Sequence, residues 1–155
     1  MSTPRPPLAR MSACAPTCGA RRPATSDIGA SSGSERSGSS TVSALCLSSR
    51  FSITAQWRTN PTAGTPVDGD ASVVVAGPDS GIFWFFSSSN WEVMVKTLNA
   101  CGLNNRYWVF SAATTNVFYR MVVFDVRTGT RKVYFNYPGP PAPAVTDTSA
   151  FATCP

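Results

Sequence analysis

The chain of 155 residues carries a formal net charge of +5 and contains no histidine. Without histidine it can form no Ser-His-Asp triad, no Cys-His nucleophile pair and no histidine-ligated metal site. All seventeen aromatic residues lie at or after Phe51, and a protein core needs such large apolar groups. The composition therefore predicts one folded unit, residues 44–155, preceded by a segment too poor in apolar groups to form a core.

Residues 1–43 are predicted to form a disordered tail or linker. They are rich in Ser, Pro, Arg, Ala and Gly and show no hydrophobic period. They hold five Arg against one Asp and one Glu, but no basic run exceeds Arg21-Arg22, so nucleic-acid binding is not expected. We find no apolar core of a signal peptide and no run near the roughly 20 residues that span a bilayer, so no membrane span is expected.

The first strands of the folded unit follow from a period of two. Residues 51–58 alternate between apolar and polar side chains, which predicts a strand whose apolar face points inward. Residues 59–71 contain Pro, Gly, Thr and Asp and predict a loop. Within it, Asp68-Gly69-Asp70 is expected to be a turn, because a calcium loop needs more oxygen ligands. Residues 72–76 predict a short β-branched strand.

Residues 81–101 predict the central hairpin of the domain. Residues 81–86 form an apolar, aromatic run that is typical of a strand covered on both faces. The second half alternates, so we expect Trp91, Val93 and Val95 to be buried and Glu92 and Lys96 to face water.

The remaining chain predicts three further strands, at residues 106–110, 115–126 and 131–137. Thr128-Gly129 in the last connection is typical of a hairpin turn. About seven strands without a convincing helix predict an all-β fold, an antiparallel, Ig-like β-sandwich.

Carboxylates are few in the folded unit, and most lie beside Gly, Ser or Thr, where turns favour them. With no histidine as general base, we expect no enzyme activity, no metal and no cofactor. A paired-carboxylate hydrolase is the remaining catalytic alternative. The carboxylates concerned are Asp68, Asp70, Asp79, Glu92, Asp125 and Asp147.

Several motifs together carry a resemblance. They include Asp79-Ser80-Gly81-x-Phe83-Trp84-Phe85-Phe86, Cys101-Gly102-x-Asn104, Tyr107-Trp108-Val109-Phe110 and Asp147-Thr148-x-Ala150-Phe151-x-x-Cys154-Pro155. The series resembles a recurrent, Cys-containing β module on the C-terminal side of secreted and surface bacterial proteins. The resemblance covers residues 45–155 and implies an extracellular or cell-surface accessory module with no established activity. The chain departs from the module in lacking a cysteine shortly before Cys46.

Three cysteines lie at the start, middle and end of the folded unit, namely Cys46, Cys101 and Cys154. Without a Cys-x-x-Cys pair, this distribution favours disulfides over zinc, with reduced buried thiols as the alternative. We expect Cys46 to pair with Cys101. The pairings of Cys154 with Cys46 or Cys101 stay open, and so does a partner at Cys14 or Cys18.

Five aromatic residues of the strands are candidates for binding: Trp84, Trp91, Trp108, Tyr119 and Tyr134. Either they fill the interior of the sandwich or some of them form an exposed platform. The sequence thus predicts a non-catalytic extracellular accessory or interaction module that binds a protein or polysaccharide at the cell surface. The alternative is a carbohydrate-binding module that uses these aromatics. An exposed ladder of two or three aromatics would favour the carbohydrate, and an apolar patch beside a free sheet edge would favour a protein.

Overall fold

The computed structural model describes residues 43–60 and 64–155, which form ten strands and one helical turn joined by loops. The predicted tail therefore lies outside the described residues except for Ser43, and so do Cys14 and Cys18. The elements are β1 (Ala44–Leu47), β2 (Phe51–Arg58), β3 (Asp68–Asp70), β4 (Ser72–Val75), β5 (Ser80–Trp84), β6 (Val93–Ala100), α1 (Cys101–Asn104), β7 (Arg106–Ala113), β8 (Phe118–Asp125), β9 (Arg131–Asn136) and β10 (Val145–Phe151).

The strands form two antiparallel five-stranded sheets, which confirms the predicted all-β sandwich. The first sheet has the order β1-β2-β8-β9, and β3 pairs with the second half of β2. The second sheet has the order β10-β7-β6-β5-β4. No helix among the described residues is long and apolar enough to cross a membrane.

The core lies between the sheets and follows the alternation of the strands. In the first sheet, Ile53 lies opposite Val123 and Ala55 opposite Met121, and all four side chains are buried. The second sheet contributes further inward side chains, which are Phe83, Val93, Val95, Val109 and Phe151. Each such side chain stabilises the fold by roughly 1.5–3 kcal/mol on burial.

Three strands were not predicted from the sequence, because each can be recognised only from its pairing with a neighbouring strand. They are β1, β3 and β10. In β3, Gly69 lies opposite Trp57, and a Cβ atom at this position would overlap the Trp57 indole. Glycine therefore lets the segment pair with β2, where the sequence suggested only a turn.

The central hairpin differs from its prediction at both strands. β6 begins at Val93, so Glu92 precedes it and turns inward with 3% exposure, whereas Trp91 is 56% exposed. The expectation that Trp91 is buried and Glu92 faces water was wrong. β5 alternates between buried Phe83 and part-exposed Ile82 and Trp84, so the expected coverage on both faces was also wrong.

The disulfide joins Cys101 to Cys154, with Cα atoms 5.7 Å apart. The expected Cys46–Cys101 pair was therefore wrong, and one of the open alternatives occurs. The reason is topological, because β10 pairs with β7 and the chain returns beside the end of β6. Cys46 lies in β1 of the other sheet and is also disulfide-bonded, so all three cysteines are in disulfides, as expected.

Replacing Cys101 and Cys154 by Ser tests how much this bridge stabilises the fold. It spans a sequence separation of 53 residues, and the chain-entropy model gives a loss of about 4 kcal/mol in the free energy of unfolding. Urea denaturation should show this loss. Each single variant should lose as much as the double variant, since either change removes the whole bond. Additive losses, or a loss below ~1 kcal/mol, would contradict this account of the bridge.

Candidate functional site

Arg50, which immediately precedes β2, is a buried cation with 4% exposure. Its Nε donates to Oδ1 of Asp125 at 3.0 Å, and its Nη2 donates to Oδ2 at 2.7 Å. Such a two-point pair fixes the guanidinium plane. Asp125 ends β8, so the pair ties the two longest strands of the first sheet together.

Arg50 also reaches the second sheet and the end of the chain. Its Nη1 donates to the Tyr107 hydroxyl of β7 at 2.7 Å. Its Nη2 also donates to the Thr153 carbonyl at 2.6 Å. One guanidinium thus joins three other segments to its own, and its contacts are structural rather than available to a ligand.

The surroundings of Asp125 set its pKa. Burial alone would raise the pKa, but hydrogen bonds from Arg50, Thr153, the Arg127 backbone and Thr128 outweigh it and hold the pKa at about 2. The ionised form is therefore the one that the fold stabilises.

The depressed pKa of Asp125 implies a defined loss of stability in acid. Its contribution is fully present above the ordinary value of 3.8 and is lost as the pH falls through about 2. At about 1.4 kcal/mol per pKa unit this is about 2 kcal/mol. We expect urea denaturation to show this fall, and the ¹³Cγ resonance of Asp125 to titrate with a midpoint at about 2.

The matched control is Asp68→Asn, which removes an exposed carboxylate that is also paired with an arginine. This variant should keep the acid-dependent loss, whereas Asp125→Asn should lose it. A ¹³Cγ midpoint for Asp125 at the ordinary 3.8 would show that the Arg50 pair does not act as described.

Glu92 is a buried carboxylate whose contacts lie within its own loop. Its Oε2 accepts the Phe85 N–H at 2.8 Å, and its Oε1 accepts the Asn90 side-chain amide at 2.5 Å. Burial raises the pKa of Glu92, against the effect of these hydrogen bonds. Both oxygens are engaged, so the side chain fixes the loop between β5 and β6 and does not face a substrate.

Tyr134 and Asp147 close the sandwich between β9 and β10. The Tyr134 hydroxyl donates to Oδ2 of Asp147 at 2.9 Å, and Lys132 Nζ lies 3.8 Å from the same oxygen. Burial, together with the Asp147 carboxylate, raises the pKa of Tyr134. These three groups are therefore engaged with each other. Within the described ranges, no cluster of Cys, Asp or Glu could hold a metal ion.

The outer face of the second sheet, here called the apolar face, is built from alternate residues of β4 to β7. Val74, Ile82, Met94 and Ala112 lie opposite one another across the four strands. In the next row Lys96 lies between Ser80 and Phe110, with its Nζ 5.4 Å from the Phe110 ring centroid. The other large side chains of the face are Trp84, Leu98 and Trp108.

The outer face of the first sheet has a different chemistry. Asp70, Gln56, Arg120 and Phe135 form one row across β3, β2, β8 and β9, and Asp68, Arg58 and Phe118 form the next. The two rows border an open cavity of about 470 Å³, here called the first-sheet pocket. Its side-chain lining is Gln56, Arg58, Asp68, Asp70, Phe118 and Arg120, and Trp57 and Gly69 complete it.

The structure does not bring the five candidate aromatics together. Tyr119 is 2% exposed and belongs to the core, and Tyr134 packs against the core with its hydroxyl bonded to Asp147, so these two follow the alternative in which the aromatics fill the interior. Trp84 and Trp108 share the apolar face but lie several rows apart. Trp91 lies in the loop after β5, where its indole N–H donates to the Ser88 carbonyl at 3.2 Å.

The sequence missed most residues of both outer faces. Alternation within β6 and β7 could have revealed the apolar face, since Met94, Leu98 and Phe110 fall on the side opposite the core. The first-sheet pocket could not be found in this way, because it needs β3 to pair with β2. Neither a family model, nor a curated protein, nor a solved structure matches the chain. The resemblance to the bacterial module therefore stays a prediction.

Proposed function

We propose that the chain is a non-catalytic interaction module that docks a partner protein through the apolar face. The observation that carries the proposal is the row of Val74, Ile82, Met94 and Ala112, which crosses four strands on the solvent side. A sheet face in water normally carries polar side chains, and large apolar patches on a surface mark interaction sites.

The apolar face continues to a sheet edge. β4 is the last strand of its sheet, and Val74, its residue on the apolar face, is 38% exposed. Met94, at the centre of the face, is 51% exposed. An apolar patch beside an unpaired edge favours association with a protein, because the edge offers backbone hydrogen bonds in addition to apolar contact.

The charges of the apolar face indicate the chemistry of the partner. Lys96 lies near its centre and Arg106 at its end, and the outward positions of β4 to β7 contain no Asp or Glu. A second copy of the chain would bring like charges together. The complementary occupant is a partner protein that presents apolar side chains around a carboxylate.

The hydrogen bonds of the buried ionisable groups agree with a non-catalytic role. Arg50, Asp125 and Glu92 all form hydrogen bonds that hold segments of the fold together. The disulfides support an oxidising setting, which agrees with an extracellular or cell-surface location. The resemblance described above supports an accessory module of a secreted or surface bacterial protein.

Met94→Glu tests the proposal by placing a charge at the centre of the apolar face. The matched control is Thr54→Glu, an exposed position on the outer face of the first sheet. A photo-crosslinker at position 94 or 54 identifies the partner among secreted proteins, and the purified pair then gives a dissociation constant. We expect Met94→Glu to weaken binding by about a hundredfold, as for a desolvated central contact, and Thr54→Glu to leave it unchanged.

Two outcomes would contradict the proposal. Equal binding by Met94→Glu and the unchanged chain would remove the apolar face from the interface. A dimer in light scattering that Met94→Glu dissociates would show that a second copy occupies the face. The partner's affinity should also fall with salt if a carboxylate faces Lys96.

A further inference from the structure

The first-sheet pocket lies on the sheet opposite the apolar face and presents a dense set of outward polar groups. Residues directly opposite in antiparallel strands point to the same side, so Asp70, Gln56 and Arg120 stand in one row. Arg58 and Asp68 stand beside them in the next row. Its volume of about 470 Å³ suits a small ring-shaped ligand.

The charges of the pocket balance. Arg58 donates to both oxygens of Asp68, from Nε at 2.5 Å and from Nη2 at 2.9 Å. Asp70 accepts from the Gln56 amide at 3.1 Å. With Arg120, the lining holds two cations and two carboxylates. A phosphate or a nucleic acid would meet two carboxylates here, and a cation would meet two guanidinium groups, so the balance favours a neutral ligand.

Hydrogen-bonding capacity remains in the pocket. The Arg120 side chain makes no hydrogen bond or ion pair with any of the described residues, so its guanidinium has donors to offer. Asp70 keeps lone pairs beyond the one used by Gln56. Donors and acceptors therefore alternate at short spacing, as the hydroxyl groups of a sugar require, since each hydroxyl both donates and accepts.

An aromatic pair borders these polar groups. The ring centroids of Phe118 and Phe135 are 6.5 Å apart, and Phe135 is 49% exposed. The face of an aromatic ring is negative and attracts the slightly positive C–H groups on the apolar face of a sugar ring. A flat ring with polar edges therefore fits this surface.

The packing of β3 on Trp57 leaves a buried hydrogen-bond donor without a partner in the described part of the chain, and the same packing shapes the first-sheet pocket. The Trp57 indole Nε1 lies buried under Gly69 without a hydrogen-bond partner among the described residues. An unsatisfied buried donor is uncommon in folded proteins. The same packing aligns Asp68 and Asp70 with Arg58 and Gln56, which a free loop would not do.

We propose that the first-sheet pocket binds a neutral saccharide, with Arg120 and Asp70 bonded to ring hydroxyls and Phe118 packed against the ring. This site is separate from the docking face, and its ligand class rests on charge balance, free donors and the aromatic pair. This proposal keeps the carbohydrate-binding alternative raised by the sequence, but it places the sugar against Phe118 and not against the five aromatics first considered.

Calorimetry of the full chain with neutral hexasaccharides of glucose, xylose, mannose and N-acetylglucosamine tests this proposal. Hexagalacturonate serves as the anionic comparator. At least one neutral hexasaccharide should bind, and Arg120→Ala should weaken its binding by about tenfold or more, as expected for loss of charge-assisted hydrogen bonds. Asp70→Asn provides a second variant with the same expected direction. The matched control is Arg131→Ala, which removes an exposed arginine from β9 and should leave binding unchanged.

Three results would overturn the saccharide site. They are absence of binding to every neutral hexasaccharide at millimolar concentration, tighter binding of hexagalacturonate than of any neutral one, and unchanged binding by both folded variants. We expect both variants to fold, because Arg120 and Asp70 lie on the solvent side of the sheet. A cooperative thermal unfolding transition of each variant checks this. Failure here leaves the apolar face untouched, because that face is tested by a different variant on the other sheet.

Discussion

The buried guanidinium of Arg50 is the constraint on which the rest of the structure depends. It bonds Asp125 of the first sheet, Tyr107 of the second sheet and Thr153 beside the disulfide cysteine. Apolar packing alone would let two sheets slide over each other, because it has no direction. Hydrogen bonds from one planar group fix their relative position, and removal of Asp125 leaves the Arg50 charge buried and unpaired.

This network also holds a strained connection. Ser48 and Ser49 both adopt positive φ, of 54° and 49°, which costs roughly 1–2 kcal/mol per residue for side chains other than glycine. The turn closes where the Arg50 N–H donates to the Leu47 carbonyl at 3.0 Å, and the Arg50 side chain then anchors it. The buried polar groups at the strand ends bond to one another in this network. The side chains that can contact a ligand or a partner therefore lie on the two outer faces of the sandwich.

The sequence predicted the parts of the fold that follow from one strand alone. Alternation located the buried face of β2, because Ile53 needs only a period of two to be placed. It failed wherever a residue depends on another segment. Glu92 is buried because its loop supplies donors, and β3 is a strand because Gly69 fits Trp57. For the same reason, the cross-strand rows of the apolar face and of the first-sheet pocket could not be predicted from the sequence. Such rows run across several strands and can be drawn only when the strand register is known.

A double-mutant cycle at Arg50 and Asp125, measured by urea denaturation, tests the central claim most directly. Arg50→Met and Asp125→Leu should each lower the free energy of unfolding by about 3–5 kcal/mol, because each leaves the other charge buried and unpaired. The double variant should lose much less than the sum, since no unpaired charge remains. Losses that simply add would contradict the account, because they would show that the two groups act independently.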